Sequence, residues 1–209
     1  MPAYFTVAFS LREDPTAPDS VAQFYQALEQ CGLRFLRGYW HAEADTLKEI
    51  VKWNAAKLRD HYVPGMQDEY QQHYKQALYR FGDFSEARVY LLNHALTDEF
   101  AFHLIIPEDD FFGSDKGSSP KRRRDRMEQI ETLLIRMWNS SELLSIQTGW
   151  ECSDMPVSAS ALERGCRPLT EPFAIVPARL VKEKWRCERR KIGREGVLLI
   201  DENNWNASL

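Results

Sequence analysis

Between Glu86 and Phe112 the chain shows its sharpest two-residue hydrophobic alternation. Arg88 to Ala95 reads as one strand and Glu99 to Ile106 as another, with Leu96, Thr97 and Asp98 as the turn. In the second strand Phe100, Phe102, Leu104 and Ile106 fall on one face, and Ala101, His103 and Ile105 on the other, so both faces are expected to be at least partly covered. Pro107 has no N–H to give to a ladder. Pairing should stop there and leave Glu108, Asp109 and Asp110 on the rim of the sheet, followed by the apolar Phe111 and Phe112.

Tyr4 to Ser10 is apolar on both faces, as an inner strand would be. Asp19 is placed to cap a helix that carries Val21, Phe24, Leu28 and Cys31 at helical spacing and stops at Gly32. Leu33 to Trp40 returns as a strand. Thr46 and Glu49 form a capping box ahead of the stripe Leu47, Ile50, Val51 and Leu58, a helix ending near Asp60. Pro64 and Gly65 break it, and the next segment, with Tyr70, Tyr74, Ala77 and Leu78 on one side, predicts an exposed helix outside the sheet.

Residues 113–120 have the composition of a flexible loop and abut the basic run Lys121 to Arg124. Met127, Ile130, Leu134 and Met137 then mark a helix over 124–138. Leu143 to Glu151 reads as a strand, and 155–165 as a loop with one helical turn. Phe173 to Val181 is an apolar run that Pro177 pushes toward a sheet edge, and Lys184 to Glu188 with Gly196 to Asp201 predicts a terminal hairpin turning at Gly193. Together these elements predict one α+β domain over 1–209, a largely antiparallel sheet packed against helices, with a flexible loop near 113–121.

With 209 residues, 44% of them hydrophobic, the chain can bury one full core. It contains no apolar run long enough to span a bilayer and no leader-like start, which predicts a cytoplasmic protein with no membrane partner. Cys31, Cys152, Cys166 and Cys187 never form CxxC and are expected as buried or half-buried thiols. The five histidines form neither HExxH nor HxH. No metal is expected, and His94 and His103 read as a structural pair facing each other across the hairpin. Phosphate-cradling glycine loops and the GxSxG elbow are missing, so no cofactor, catalytic residue or enzyme activity is expected.

Charge divides the chain. Residues 1–120 sum to −7 and residues 121–209 to +3. The acidic half would steer toward a basic partner, whereas the groups Lys121 to Arg126 and Arg186 to Arg194 suggest the alternative of a nucleic-acid-binding or adaptor protein that uses the basic C-terminal half. Acids interleaved at Asp125, Glu188 and Glu195 weaken both groups, so nucleic acid is disfavoured as a partner.

The whole-length α+β layout, the strand ending in IIPEDDFF and the run Thr148-Gly149-Trp150-Glu151 resemble the immunity proteins of bacterial polymorphic toxin systems. The nearest likeness is to the family encoded beside toxins with a restriction-endonuclease-like nuclease domain. The resemblance implies a cytoplasmic antitoxin that neutralises by binding, occluding the active site of a cognate toxin, expected to be a nuclease and delivered by a type VI secretion system. The expected partner-binding residues are Glu108, Asp109, Asp110, Phe111 and Phe112, in which carboxylates would steer a basic toxin and rings would anchor it. A homodimer is a further partner option.

Overall fold

The computed structural model describes residues 3–11, 17, 19–62, 70–94, 99–112, 120–151 and 155–201. Strand β1 is Tyr4–Leu11, helix α1 Ser20–Gln30 and strand β2 Arg34–Tyr39, followed by a single 3-10 turn at Trp40–Ala42. Helix α2 (Leu47–Arg59) opens on the expected capping box: Thr46 accepts from the Glu49 amide, while the Glu49 carboxylate accepts from the Thr46 amide at 2.8 Å. Strands β3 (Gln76–Arg80), β4 (Ala87–His94) and β5 (Glu99–Pro107) come next, then the helical turn α3 (Asp109–Phe112) and the long helix α4 (Pro120–Ser140). The chain continues through β6 (Leu143–Trp150), α5 (Ala159–Glu163), β7 (Phe173–Pro177), β8 (Glu188–Ile192) and β9 (Gly196–Ile200).

These nine strands form one sheet in the order β2-β3-β4-β5-β1-β6-β7-β9-β8, each named pair antiparallel. The α+β class stands. Phe5, Val7 and Phe9 of β1, Val89 and Leu91 of β4, and Phe102 and Leu104 of β5 point to the face covered by α1, α2 and α4. Phe24 of α1 stacks on Phe102 at 3.9 Å between ring centres, and Ile130, Leu134 and Met137 of α4 close the same core. On the opposite face the β6–β7–β9 end is covered, among the described residues, by the 155–187 segment. There Trp185 packs on Ala174, Val176, Val197 and Leu199, and Leu180 and Leu162 on Leu144.

Several expectations are corrected. Gln76 to Arg80 is a strand between β2 and β4, not a helix outside the sheet, because Ala77 and Tyr79 are buried at a period of two; the preceding 63–69 lie outside the described residues. β7 is an inner strand, not an edge. Pro177 is its last residue, so no interior ladder bond is lost. The first arm of the terminal hairpin is Glu188–Ile192, displaced toward the C-terminus, and Arg194 and Glu195 supply the positive φ of its turn. Asp19 sits at φ 70° with no side-chain capping bond, so α1 begins without the expected carboxylate cap. His103 faces Tyr90, and His94 is in register with Glu99, so the two histidines do not pair. Cys166 is exposed rather than buried. The hairpin turn at 95–98, Cys152 and the loop 113–119 lie outside the described residues, and α4 already includes Pro120.

Candidate functional site

After Pro107 the chain bends into α3, because the Phe111 and Phe112 amides donate to the Glu108 carbonyl at 2.8 and 3.0 Å. This turn divides the five expected partner-binding residues into two sets. Asp110 is buried, with 8% of its surface exposed, pairs with Arg126 of α4 at 3.0 Å and accepts from the Ser85 amide and hydroxyl at 2.8 and 2.9 Å. Arg126 also donates to the Asp83 carbonyl at 3.0 Å. Phe111 is 1% exposed and packs among Phe5, Phe84 and Trp150. Neither residue lies on the surface as expected: they tie the end of β5 to α4 and to the turn at 83–85. Glu108 stays half-buried, Asp109 is exposed, and Phe112 is 40% exposed beneath the Arg123 guanidinium at 4.0 Å.

The larger surface feature lies on the second face of the sheet, where Tyr4, Thr6, Tyr90 and Leu92 are half-buried and Arg88, His103 and Ile105 are buried. Residues of alternate register bring Tyr39 of β2, Arg88, Tyr90 and Leu92 of β4, His103 and Ile105 of β5, and Tyr4 and Thr6 of β1 to one side. Two depressions of about 450 and about 310 Å³ adjoin there and share Tyr90 and Leu92. The first is walled by Trp40, Trp53, His73 and Lys75, and the second by Tyr4, His103, Glu151 and Met155. Helix α2 holds the first wall in place. Trp53 Nε1 donates to the His73 carbonyl at 2.9 Å, and the Asn54 amide group bonds both the N–H and the carbonyl of Lys75, at 2.8 and 2.9 Å.

Trp40 is 51% exposed and has a φ of 53°, a left-handed backbone that a bulky residue adopts only when its surroundings impose it. The imposing contact is local. Gly38 runs so close to the 3-10 turn that a Cβ on it would lie 1.8 Å from the Ala42 carbonyl oxygen. The turn thereby stands the Trp40 side chain at the mouth of the first depression.

Three acidic segments far apart in sequence meet around Tyr4. The Tyr4 amide donates to Glu151 at 2.9 Å, the Glu151 amide donates to Glu108 at 3.2 Å, and Arg88, 5.1 Å over the Tyr4 ring, pairs with Glu86 at 3.3 Å. Burial, followed by the Glu86 carboxylate, raises the Tyr4 phenol above its ordinary pKa, so it stays neutral and able to donate. Burial does the same for Tyr90, whose ring stacks on His103 at 5.3 Å. The face thus offers rings, a guanidinium already paired, and carboxylates at its rim. Such a surface suits holding the side chains of a partner. Among the described residues no three His, Cys, Asp or Glu side chains gather as a metal-holding group, and no helix is long and apolar enough to cross a membrane.

Of this site, Glu108 was expected from the sequence and Asp109 lies on its acidic side in α3. Tyr4, Tyr39, Trp40, Arg88, Tyr90 and Glu151 were not marked as site residues. For Tyr4, Arg88 and Tyr90 the sequence signal is a polar or aromatic residue on the second face of a strand; Tyr39, Trp40 and Glu151 lie at strand ends and carry no such pattern.

No protein-family model matches the chain, and no curated relative matches it by sequence. Among solved structures it is similar to the Pseudomonas aeruginosa T6SS protein PA0821, at 11% identity and a TM-score of 0.36, over 95% of this chain and 64% of that one. The chain thus spans less than two thirds of that protein's length. So shallow a likeness carries no argument, and function is argued from the surface itself.

Proposed function

We propose that this protein is an immunity protein that binds and neutralises a basic bacterial toxin, of the nuclease class, in the cytoplasm, and that it does so by binding rather than by catalysis. The observation that carries this reading is the convergence of Glu86, Glu108 and Glu151 around Tyr4, beside a concave face whose projecting side chains are Trp40, Tyr90 and Met155. Carboxylates at a rim accelerate encounter with a positive cleft, and aromatic groups in a concavity set residence time. Of the loop residues, Glu108, Asp109 and Phe112 contribute from the surface, while Asp110 and Phe111 hold the loop that presents them.

The test is co-expression with the effector encoded by the adjacent gene, followed by calorimetry on the purified pair. A stoichiometric complex and restored growth are expected. Trp40→Ala with Tyr90→Ala should speed dissociation, whereas Asp109→Lys should slow association and flatten its salt dependence. Full protection by a folded Trp40→Ala/Tyr90→Ala/Asp109→Lys protein, or no complex at all, would overturn the assignment.

A further inference from the structure

The segment that covers the far end of the same sheet face carries the opposite charge. Residues 155–191 contain nine Lys or Arg and four Asp or Glu. Where α5 ends, Gly165 takes a φ of 94°, its amide bonds the Leu162 carbonyl at 2.9 Å and the Cys166 amide bonds that of Ala161 at 3.0 Å. This stop turns Arg164 and Arg167 toward the loop at 182–186. That loop is held from within: Arg189 donates to the carbonyls of Lys182, Glu183 and Trp185 at 2.9, 3.1 and 2.9 Å, and the Trp185 ring is buried against β7 and β9.

Between the two segments lies an open depression of about 560 Å³, lined by Arg164, Cys166, Arg167, Lys184, Trp185 and Arg186. Among the described residues one of its four cations has a carboxylate partner, Arg167 with Asp201 at 2.9 Å. Arg164, Lys184 and Arg186 make no ion pair among the described residues. The neighbouring Glu163 and Glu183 do not line the depression, and Glu163 is engaged by Arg179 at 3.6 Å. The Trp185 indole N–H is a buried donor with no acceptor among the described residues. Like charges gathered around one depression raise its positive potential and favour an anion there.

We infer that this depression binds a phosphate-bearing ligand. Its cations without a carboxylate come from two segments, Arg164 from the end of α5 and Lys184 and Arg186 from the 182–186 loop, and a phosphate offers several oxygens and up to two charges to such a set, where a carboxylate offers two coplanar oxygens and one charge. Because the depression is open, a phosphodiester chain can lie across it and a free polyphosphate can sit in it; the chemistry recognised is the same. This inference stands apart from toxin binding, which uses the acidic rim and the aromatic face.

The experiment is fluorescence anisotropy of the full chain with a labelled single-stranded oligonucleotide, with competition by pyrophosphate and by poly-glutamate. Binding is expected at low salt, with a log–log salt slope of about −2 for three neutralised phosphates. Arg164→Gln/Lys184→Gln/Arg186→Gln should weaken it about tenfold or more and flatten the slope. The control Arg179→Gln/Arg190→Gln/Arg194→Gln removes the same net charge from residues paired with Glu163, Glu131 and Glu142, and should change affinity by no more than about twofold. Displacement by pyrophosphate assigns the site to free phosphates as well as chains, and failure of pyrophosphate to displace assigns it to chains. No binding, equal weakening by the two triple variants, or poly-glutamate competing as well as pyrophosphate would each overturn the inference.

Discussion

The two faces of the sheet are built from the same strands, yet they read differently. Along β1 the residues Phe5, Val7 and Phe9 are wholly buried under helices, while Tyr4, Thr6 and Ser10 on the other side are half-buried. Where the 155–187 segment does cover that second face, the strand residues become Ala174, Val176, Val197 and Leu199. Away from that segment they are Tyr4 and Tyr90, which are half-buried, with Arg88 and His103 buried among them. Burial limits what a face can carry: the roofed end is apolar, and the charge buried beside β1 is paired, Arg88 with Glu86 at 3.3 Å, because a buried charge without a partner is costly. Charge divides this side of the molecule further, with carboxylates around Tyr4 and, on the segment that covers β7 and β9, the cations beside Trp185.

The largest expected effect tests the contrast between faces directly. Phe102→Ala removes a ring stacked on Phe24 and edge-on to Tyr25, and should cost about 3–5 kcal/mol in chemical denaturation. Tyr90→Ala, half-buried on the opposite face, should cost only about 1–2 kcal/mol. Equal losses would mean that the second face is as tightly covered as the first.

A second pair sharpens the contrast within the acidic loop. Asp110→Asn weakens a buried ion pair with Arg126 and its bonds from Ser85, and should lower stability by about 2–3 kcal/mol; Asp109→Lys should stay within about 0.5 kcal/mol. A stable Asp110→Asn protein would return that carboxylate to the partner surface. A smaller loss than that of Asp110→Asn concerns α2, whose Trp53 lines the aromatic depression. Thr46→Ala should cost about 1 kcal/mol through loss of the N-cap.

The same cap carries a pH signature. Hydrogen bonds from the Thr46 amide and then its hydroxyl hold the Glu49 carboxyl below its ordinary pKa. Its contribution is therefore fully present above the pKa that Glu49 has in the unfolded chain, and is lost as pH falls through the lower pKa of the folded state. Amide protection factors at the start of α2, taken relative to the intrinsic exchange rate at each pH, should fall on acidification in the native protein, and the Thr46→Ala variant should show less of that pH dependence. An identical response in both would remove Glu49 from the cap.

What the sequence alone determined was whatever depends on near neighbours. The capping box at Thr46 and Glu49, the left-handed stop at Gly32, the alternation of β1, β4, β5 and β6 and the helical stripe of α4 each depend on residues a few positions apart, and each lies where its pattern placed it. The segment from Gln76 to Arg80 misled because Ala77, Leu78 and Tyr79 fit either period; only the slots offered by β2 and β4 made it a strand. The candidate site escaped for the same reason. Glu86, Glu108 and Glu151 meet only when β1 is inserted between β5 and β6. The roles of Asp109 and Asp110 parted because α3 turned one to solvent and the other to Ser85 and Arg126, partners 25 residues earlier and 16 later. Period and capping are local energies written into adjacent side chains, whereas burial, pairing and the sign of a surface are set by which distant segment packs against it, and only the tertiary structure decides that.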